Sequence, residues 1–366
     1  MNFEFSEEQL FIRDQARNFL SQESTHVVVR SVLDTDAPFH RELWQKIVEL
    51  GWTAMAIPET YGGLGLGYLE LCVVAEELGR SLAPVPFSSS VYLATEALKN
   101  WGSDEQKQHY LPRLAAGELI GTLATSEGLG DLQVAAQVRG GKLSGVKCPV
   151  PDGDSADFAV IIANDEGGSA GLYLVDLTHS SAQRSALNSM DPSRSQASIA
   201  FDATPAAPLG DGSAGLRQLS ELLDRAAVLF AFEQVGGSQA AMEMGMAYTR
   251  ERYAFGRAIA SFQAIKHKFA DMFVALELAR CNAYYGAWAL SCDAPDLPLA
   301  AATARVSATD AYYQITRENI QAHGGMGFTW EFDCHLYYRR AQLLSGVIGT
   351  QPQWQDKVAT RLLQAA

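Results

Sequence analysis

Beyond Gly215 the chain carries no strand signal, and this constrains its fold more than any other feature. Residues 216–250, 261–290 and 299–323 repeat apolar side chains at i, i+3 and i+4, the period of an amphipathic helix. Helices of that length bury their apolar stripes against one another, so the C-terminal part reads as a helical bundle. Upstream the period changes. Short β-rich runs at 121–124, 134–138, 158–163, 172–175 and 197–201 are separated by clusters such as Arg139-Gly140-Gly141-Lys142 and Asn164-Asp165-Glu166-Gly167-Gly168, the spacing of an antiparallel β domain. The first third is helical again. Ser6 is placed to cap a helix whose first turn holds Glu7 and Glu8 and whose apolar positions are Leu10, Phe11, Ala16, Phe19 and Leu20. Residues 41–50 and 69–78 repeat the helical period, the second closed by Gly79. A glycine-rich loop at 58–67 lies between them, and Ser103-Asp104-Glu105-Gln106 opens a helix leading to Leu111-Pro112. The order helical, β, helical predicts an α+β fold in three consecutive parts, 1–118, 119–213 and 214–366.

Composition removes several function classes. The net charge is −14, and no run of Lys or Arg supplies the basic patch of a nucleic-acid binder. A few local cations still suffice for a phosphorylated ligand. The five cysteines, Cys72, Cys148, Cys281, Cys292 and Cys334, are odd in number and form no C-x-x-C pair. That argues against a disulfide framework or zinc site, and the expected compartment is a reducing cytoplasm. The first residues lack the basic and apolar regions of a signal peptide. No apolar run approaches the roughly 20 residues that span a bilayer, so no membrane association is expected.

Two segments carry chemistry. The first is Arg252-Tyr253-Ala254-Phe255-Gly256-Arg257-Ala258-Ile259, continuing through Ser261-Phe262-Gln263. The second is Gln321-Ala322-His323-Gly324-Gly325-Met326-Gly327-Phe328. An arginine fork suits phosphate oxygens, a glutamine both donates and accepts, and paired glycines admit a close backbone approach. These segments resemble the R-x-x-F-G-x-x-I-x-x-F-Q and Q-x-x-G-G-x-G-F signatures of the acyl-CoA dehydrogenase family. Residues 58–65, Glu76-Glu77-Leu78-Gly79-Arg80, and Gly102 to Lys107 with Leu111-Pro112 and Gly117 resemble landmarks of that family's N-terminal domain. The resemblance covers nearly the whole chain. It implies a helical N-terminal domain, a middle β domain and a C-terminal four-helix bundle, with an acyl-CoA substrate and FAD as cofactor. It also implies an electron-transferring flavoprotein as acceptor. Arg252, Phe255, Gln263, Gln321, Gly324 and Gly325 are then expected to face FAD held mainly by a neighbouring subunit. His267 and Lys268 read as a solvated helix face, and Trp330, Tyr337 and Tyr338 as core or interface aromatics.

The chain departs from the family at the groups that do the chemistry. The family's base is a carboxylate beside the thioester. One of its two locations precedes a Gly-Thr near the C-terminus. There the chain reads Val347-Ile348-Gly349-Thr350, and Ile348 cannot move a proton. The other location lies upstream of the glycine matched by Gly236. An ungapped count gives Ala226, and a two-residue slip gives Asp224 followed by Arg225. Asp224 is the remaining candidate base; its structural reading is an acidic first-turn residue of a helix starting near Leu219. Glu233, on the Leu222, Ala226, Leu229, Gly236 stripe, reads as a buried structural glutamate. The flavin-contact segment becomes Thr125-Ser126-Glu127-Gly128-Leu129-Gly130-Asp131-Leu132, and the W-I-T-N-G segment becomes Pro149-Val150-Pro151-Asp152-Gly153. Pro149 replaces the shielding tryptophan. Pro151 replaces a threonine and has neither hydroxyl nor N–H.

Contacts to a partner's cofactor kept, own cradle and base lost: this combination resembles the shorter chains of the α2β2 acyl-CoA dehydrogenases of bacterial steroid side-chain degradation. The run from Gly327 to Glu331 and from His335 to Ala341 carries the same likeness. It implies a longer homologue as partner, supplying the base, and bulky acyl groups such as sterol side chains. Two alternatives stay open. One is a self-sufficient homotetramer using Asp224, the other a non-catalytic scaffold or CoA-ester-binding homologue.

Overall fold

The computed structural model describes residues 5–128 and 134–365. Six helices come first: α1 (Glu7–Glu23), α2 (His26–Leu33), α3 (Arg41–Glu49), α4 (Tyr68–Arg80), α5 (Glu96–Trp101) and α6 (Asp104–Ala115). Seven strands follow: β1 (Gly121–Ala124), β2 (Gln137–Arg139), β3 (Lys142–Pro151), β4 (Phe158–Asn164), β5 (Ala170–Asp176), β6 (Ala182–Ala186) and β7 (Gln196–Pro208). Then come α7 (Leu216–Glu251), the short strands β8 (Tyr253–Ala254) and β9 (Arg257–Ala258), α8 (Gln263–Ser291), α9 (Leu297–His323), α10 (Cys334–Gly346) and α11 (Gln351–Ala365). This is the α+β order that the periodicities predict. The capping residues act as read. Ser6 and Gln9, and again Ser103 and Gln106, form reciprocal capping boxes that satisfy the first free N–H groups of α1 and α6. The chain divides into two compact units, one of Met1–Val29, Tyr68–Ala83 and Ala227–Ala366, the other of Arg30–Gly67 and Pro84–Ala226.

In the helical unit α9 packs on α8, α10 and α11, and α1 packs on α4. The Glu76-Glu77-Leu78-Gly79-Arg80 landmark is the knot of this unit. Glu76 accepts from Arg280 of α8 at 2.7 Å, Glu77 accepts from Nη2 and Nε of Arg17 of α1 at 2.6 and 3.0 Å, and Arg80 bonds Glu243 of α7. Gly79 does not close its helix, as the sequence suggested; α4 runs on to Arg80. Its role is clearance. A Cβ at Gly79 would lie 1.9 Å from the Glu233 carbonyl oxygen, and one at Gly236 would lie 1.8 Å from that of Glu76. Two glycines therefore let α4 and α7 cross backbone to backbone.

In the other unit the strands form one mixed sheet. Most pairs are antiparallel, as expected, but β4 runs parallel to both β1 and β2. The pairing closes on itself from β4 through β2, β3, β7 and β5 back to β4, with β1 and β6 added outside that ring. β4 is buried over six consecutive residues, as befits a strand covered on both sides. β3 and β6 escaped the sequence reading because neither is an apolar run. β6 reads Ala-Gln-Arg-Ser-Ala, and β3 carries Lys147 wholly buried in its middle. The glycine-rich loop is structural too: a Cβ at Gly63 would meet the Ile57 carbonyl oxygen at 2.0 Å. Residues Ser88–Thr95 form a fully buried π-helical stretch.

Candidate cofactor-binding arm

α7 ends at Glu251, and the chain turns back at once through β8 and β9, pairing Tyr253 with Ala258 and Ala254 with Arg257. That leaves a two-residue turn, Phe255-Gly256. Both residues have positive φ, 53° and 77°, as a type I′ turn requires. Asparagine normally takes the first of these positions. A phenylalanine there carries backbone strain of order 1 kcal/mol, and Phe255 is 96% exposed. The Arg252 carbonyl accepts from Ile259 at 2.8 Å and ties the hairpin to the short 3-10 turn Ile259–Ser261 that leads into α8. Gln263 is the first residue of α8, exposed, at the positive end of that helix. The Arg252 guanidinium is exposed and makes no hydrogen bond or ion pair to another described residue. A free guanidinium, a helix N-terminus and an outward aromatic ring together suit a large anionic cofactor with a planar ring system.

The second motif sits at the end of α9. Gln321 is exposed, and its carbonyl accepts from the Gly324 N–H that caps the helix. Gly324 has φ 63°, which favours glycine whatever surrounds it. A Cβ at Gly324 or Gly325 would meet nothing within 4 Å, so the chain itself leaves the space over both glycines open. His323 is buried behind them, stacked on Tyr248 at 4.1 Å with its Nδ1 2.8 Å from the Asn319 carbonyl oxygen. Of the aromatics, Tyr337 is core, Trp330 is 46% exposed and Phe328 81% exposed. His267 is exposed, while Lys268 is half-buried and pairs with Glu318.

The positions where the sequence places a candidate base are apolar or enclosed. Ile348 is 6% exposed, and its carbonyl accepts from the Trp354 indole at 3.2 Å. Gln353 accepts from the Thr350 N–H at 2.8 Å, so the first turn of α11 pins the whole Ile348-Gly349-Thr350 segment. Ala226 and Asp224 are both buried on the unbroken α7. Two residues of a helix differ by about 200° around its axis, so the two point to opposite sides. Asp224 also lies beyond the first turn, because α7 starts at Leu216. Glu233 is buried with Arg340 at 3.7 Å. The neighbouring Arg305 is pushed down to about 9 by burial, against the pull of Glu233.

In the β unit, Leu129, Gly130, Asp131 and Leu132 of the flavin-contact segment lie outside the described residues. Its beginning is held by Glu127, which takes the Lys147 ammonium at 2.5 Å and the N–H groups of Ala135 and Ala136 at 2.7 and 3.1 Å. Burial alone would raise the Glu127 carboxyl, but these donors outweigh it and hold it below its ordinary value. At Lys147 burial wins and the ammonium is pushed down despite its partner. Pro149 and Pro151 flank buried Val150 at the end of β3. Asp152 follows, almost fully buried, accepting from Ser89 at 2.6 Å and Arg194 at 3.1 Å, while Arg194 also donates to Ser88 at 2.5 Å. Sequence reading missed this cluster, since its members are far apart in the chain and only Asp152 stands in a motif segment, where sequence alone assigned it no role. Among the described residues no group of His, Cys, Asp and Glu could hold a metal ion, and no helix is long and apolar enough to cross a membrane.

The chain matches two family models, the acyl-CoA dehydrogenase N-terminal domain over residues 6–118 and the acyl-CoA dehydrogenase C-terminal domain over residues 213–363. It is 32% identical to the acyl-CoA dehydrogenase IpdE2 of Mycobacterium tuberculosis over 92% of its own length and 91% of that protein's. Among solved structures it is similar to a chain of the ChsE4-ChsE5 complex from Mycobacterium tuberculosis, with TM-score 0.91, 26% identity and 99% coverage of both chains. A variant of the Tcur3481-Tcur3483 steroid ACAD gives TM-score 0.89 and 28% identity over 98% of both chains. With its helical and β units built on that pattern and both signature segments in place, the chain belongs to the acyl-CoA dehydrogenase family.

Proposed function

We propose that this chain is the base-lacking subunit of a heteromeric acyl-CoA dehydrogenase that oxidises a CH–CH bond next to a thioester, its partner a longer homologue. The observation that carries this reading is the arm. Phe255 is presented to solvent at a strained turn, beside an Arg252 that pairs with no other described residue, a cost without benefit in an isolated chain. Bound FAD supplies the hydride acceptor. This chain's residues bind and orient it. Arg252 and the α8 N-terminus at Gln263 hold its phosphates, Phe255 packs on it, and Gln321 with the open backbone at Gly324 and Gly325 lets it approach. Proton removal falls to the partner, because Ile348 stands where one base is expected and Ala226, by the ungapped count, where the other is. The two similar structures named as a complex and a steroid ACAD favour a heteromer and a bulky acyl-CoA such as a sterol side-chain thioester. An electron-transferring flavoprotein is the proposed acceptor.

The test is flavin absorbance of the chain purified alone and after co-expression with a longer homologue encoded beside it. Colourless alone, yellow and active together, is the expected result. One tightly bound FAD per isolated, active chain overturns it. Asp224→Asn then becomes the decisive variant, with loss of activity but not of FAD marking a self-sufficient enzyme.

A further inference from the structure

A ring as exposed as Phe255 has no core to hold it. Its aromatic neighbour is Phe262, edge-on at 6.3 Å and 82°. Phe262 is itself clamped, with the Arg257 guanidinium 4.0 Å from its ring centroid. Cation, ring and ring edge thus form a short ladder, and the backbone fixes two of its members. Arg257 stands opposite Ala254 in the β8–β9 pair, and Phe262 is the N-cap of α8, its carbonyl accepting from Ile265 and Lys266. Arg257 is exposed and makes no ion pair with another described residue, so its charge is not engaged elsewhere.

We infer that Arg257 and Phe262 are positioning residues that hold the Phe255 ring ready for its target, an inference that rests on the proposed reach of this arm to FAD on a partner chain. A guanidinium over a ring face and an edge-to-face ring pair are each attractive, and both geometries are present here. A ring held in place beforehand loses no rotamer freedom on binding. Arg257 then acts through Phe262 and not as a phosphate ligand.

Arg257→Gln and Phe262→Leu separate these roles, with Arg257→Lys and Phe262→Tyr as conservative controls. In the isolated full-length chain, hydrogen exchange of segment 252–262 is expected to speed up in the Gln and Leu variants. Melting temperature is expected to change little, since Phe255 and Arg257 are exposed and the hairpin is only two residue pairs long. In the co-purified complex the same two variants are expected to release FAD about two- to fivefold more readily, and the Lys and Tyr controls to recover most of the loss. Unchanged exchange in both variants overturns the brace. So does FAD loss in Arg257→Gln with full retention in Phe262→Leu, which would make Arg257 a direct ligand. If the wild-type complex holds no FAD at all, the heteromer reading fails, while the exchange result still decides whether the brace exists.

Discussion

Phe255 shows stability traded against reach. Its turn asks for a residue that tolerates left-handed backbone, and the chain places a bulky aromatic there instead. Phe255→Asn is therefore expected to stabilise the isolated chain by about 0.5–1 kcal/mol in denaturant melts while weakening FAD retention in the complex. A less stable variant would mean that the Phe262 contact outweighs the strain. The motif position of Phe255 was legible from sequence, but its cost was not, since φ at the turn depends on a hairpin only two residue pairs long. Arg257 stood in plain view inside the same motif. Its stacking on Phe262 becomes visible only when the chain folds back.

At the scale of elements, glycines with the same look in sequence do opposite things. Gly79 and Gly236 sit where α4 and α7 touch through their backbones, whereas Gly325 faces open space. Gly236→Ala is expected to cost about 3 kcal/mol through the Glu76 carbonyl it would strike. Gly325→Ala, in a 3-10 turn with room for a methyl, should leave the melting curve unchanged and weaken FAD retention. Equal melting curves for the two variants would refute this division. Gly79 was read as a helix end because glycine commonly terminates helices; the competing demand, close packing by a helix 150 residues further along, leaves no local trace. β3 and β6 were missed for a related reason. Strand pairing, of β3 within the closed ring and of β6 along β7, compensates for polar content that local pattern counts against them, and a buried lysine is acceptable in β3 because Glu127 arrives from another segment.

For the whole molecule, burial sets opposing acid responses. Glu318, despite the upward push of burial, is held below its ordinary 4.5 by Lys268 and Arg317, as Glu127 and Glu243 are by their own donors. Glu76 is raised by burial, against the pull of Arg280. For a lowered carboxyl the unfolded chain binds the proton first, so its stabilisation is present above 4.5 and lost as pH falls through the lower folded value. The stability gap between wild type and Glu318→Gln should thus be constant well above 4.5 and shrink as pH falls below it, measured by melts across pH. A gap independent of pH would show that the ion pair contributes nothing. By itself the sequence determined the α+β class, the long helices and the two signature segments, because hydrophobic period, caps and motif spacing are local properties of a chain. It also determined what Ile348 and the two prolines cannot do, since a missing carboxylate, hydroxyl or N–H is absent in any fold. Only the tertiary structure decided which glycines serve packing, which glutamates are neutralised by which arginines, and that Phe255 stands braced and outward. Each of those depends on groups brought together from distant parts of the chain, and burial, charge and clearance exist only once they meet.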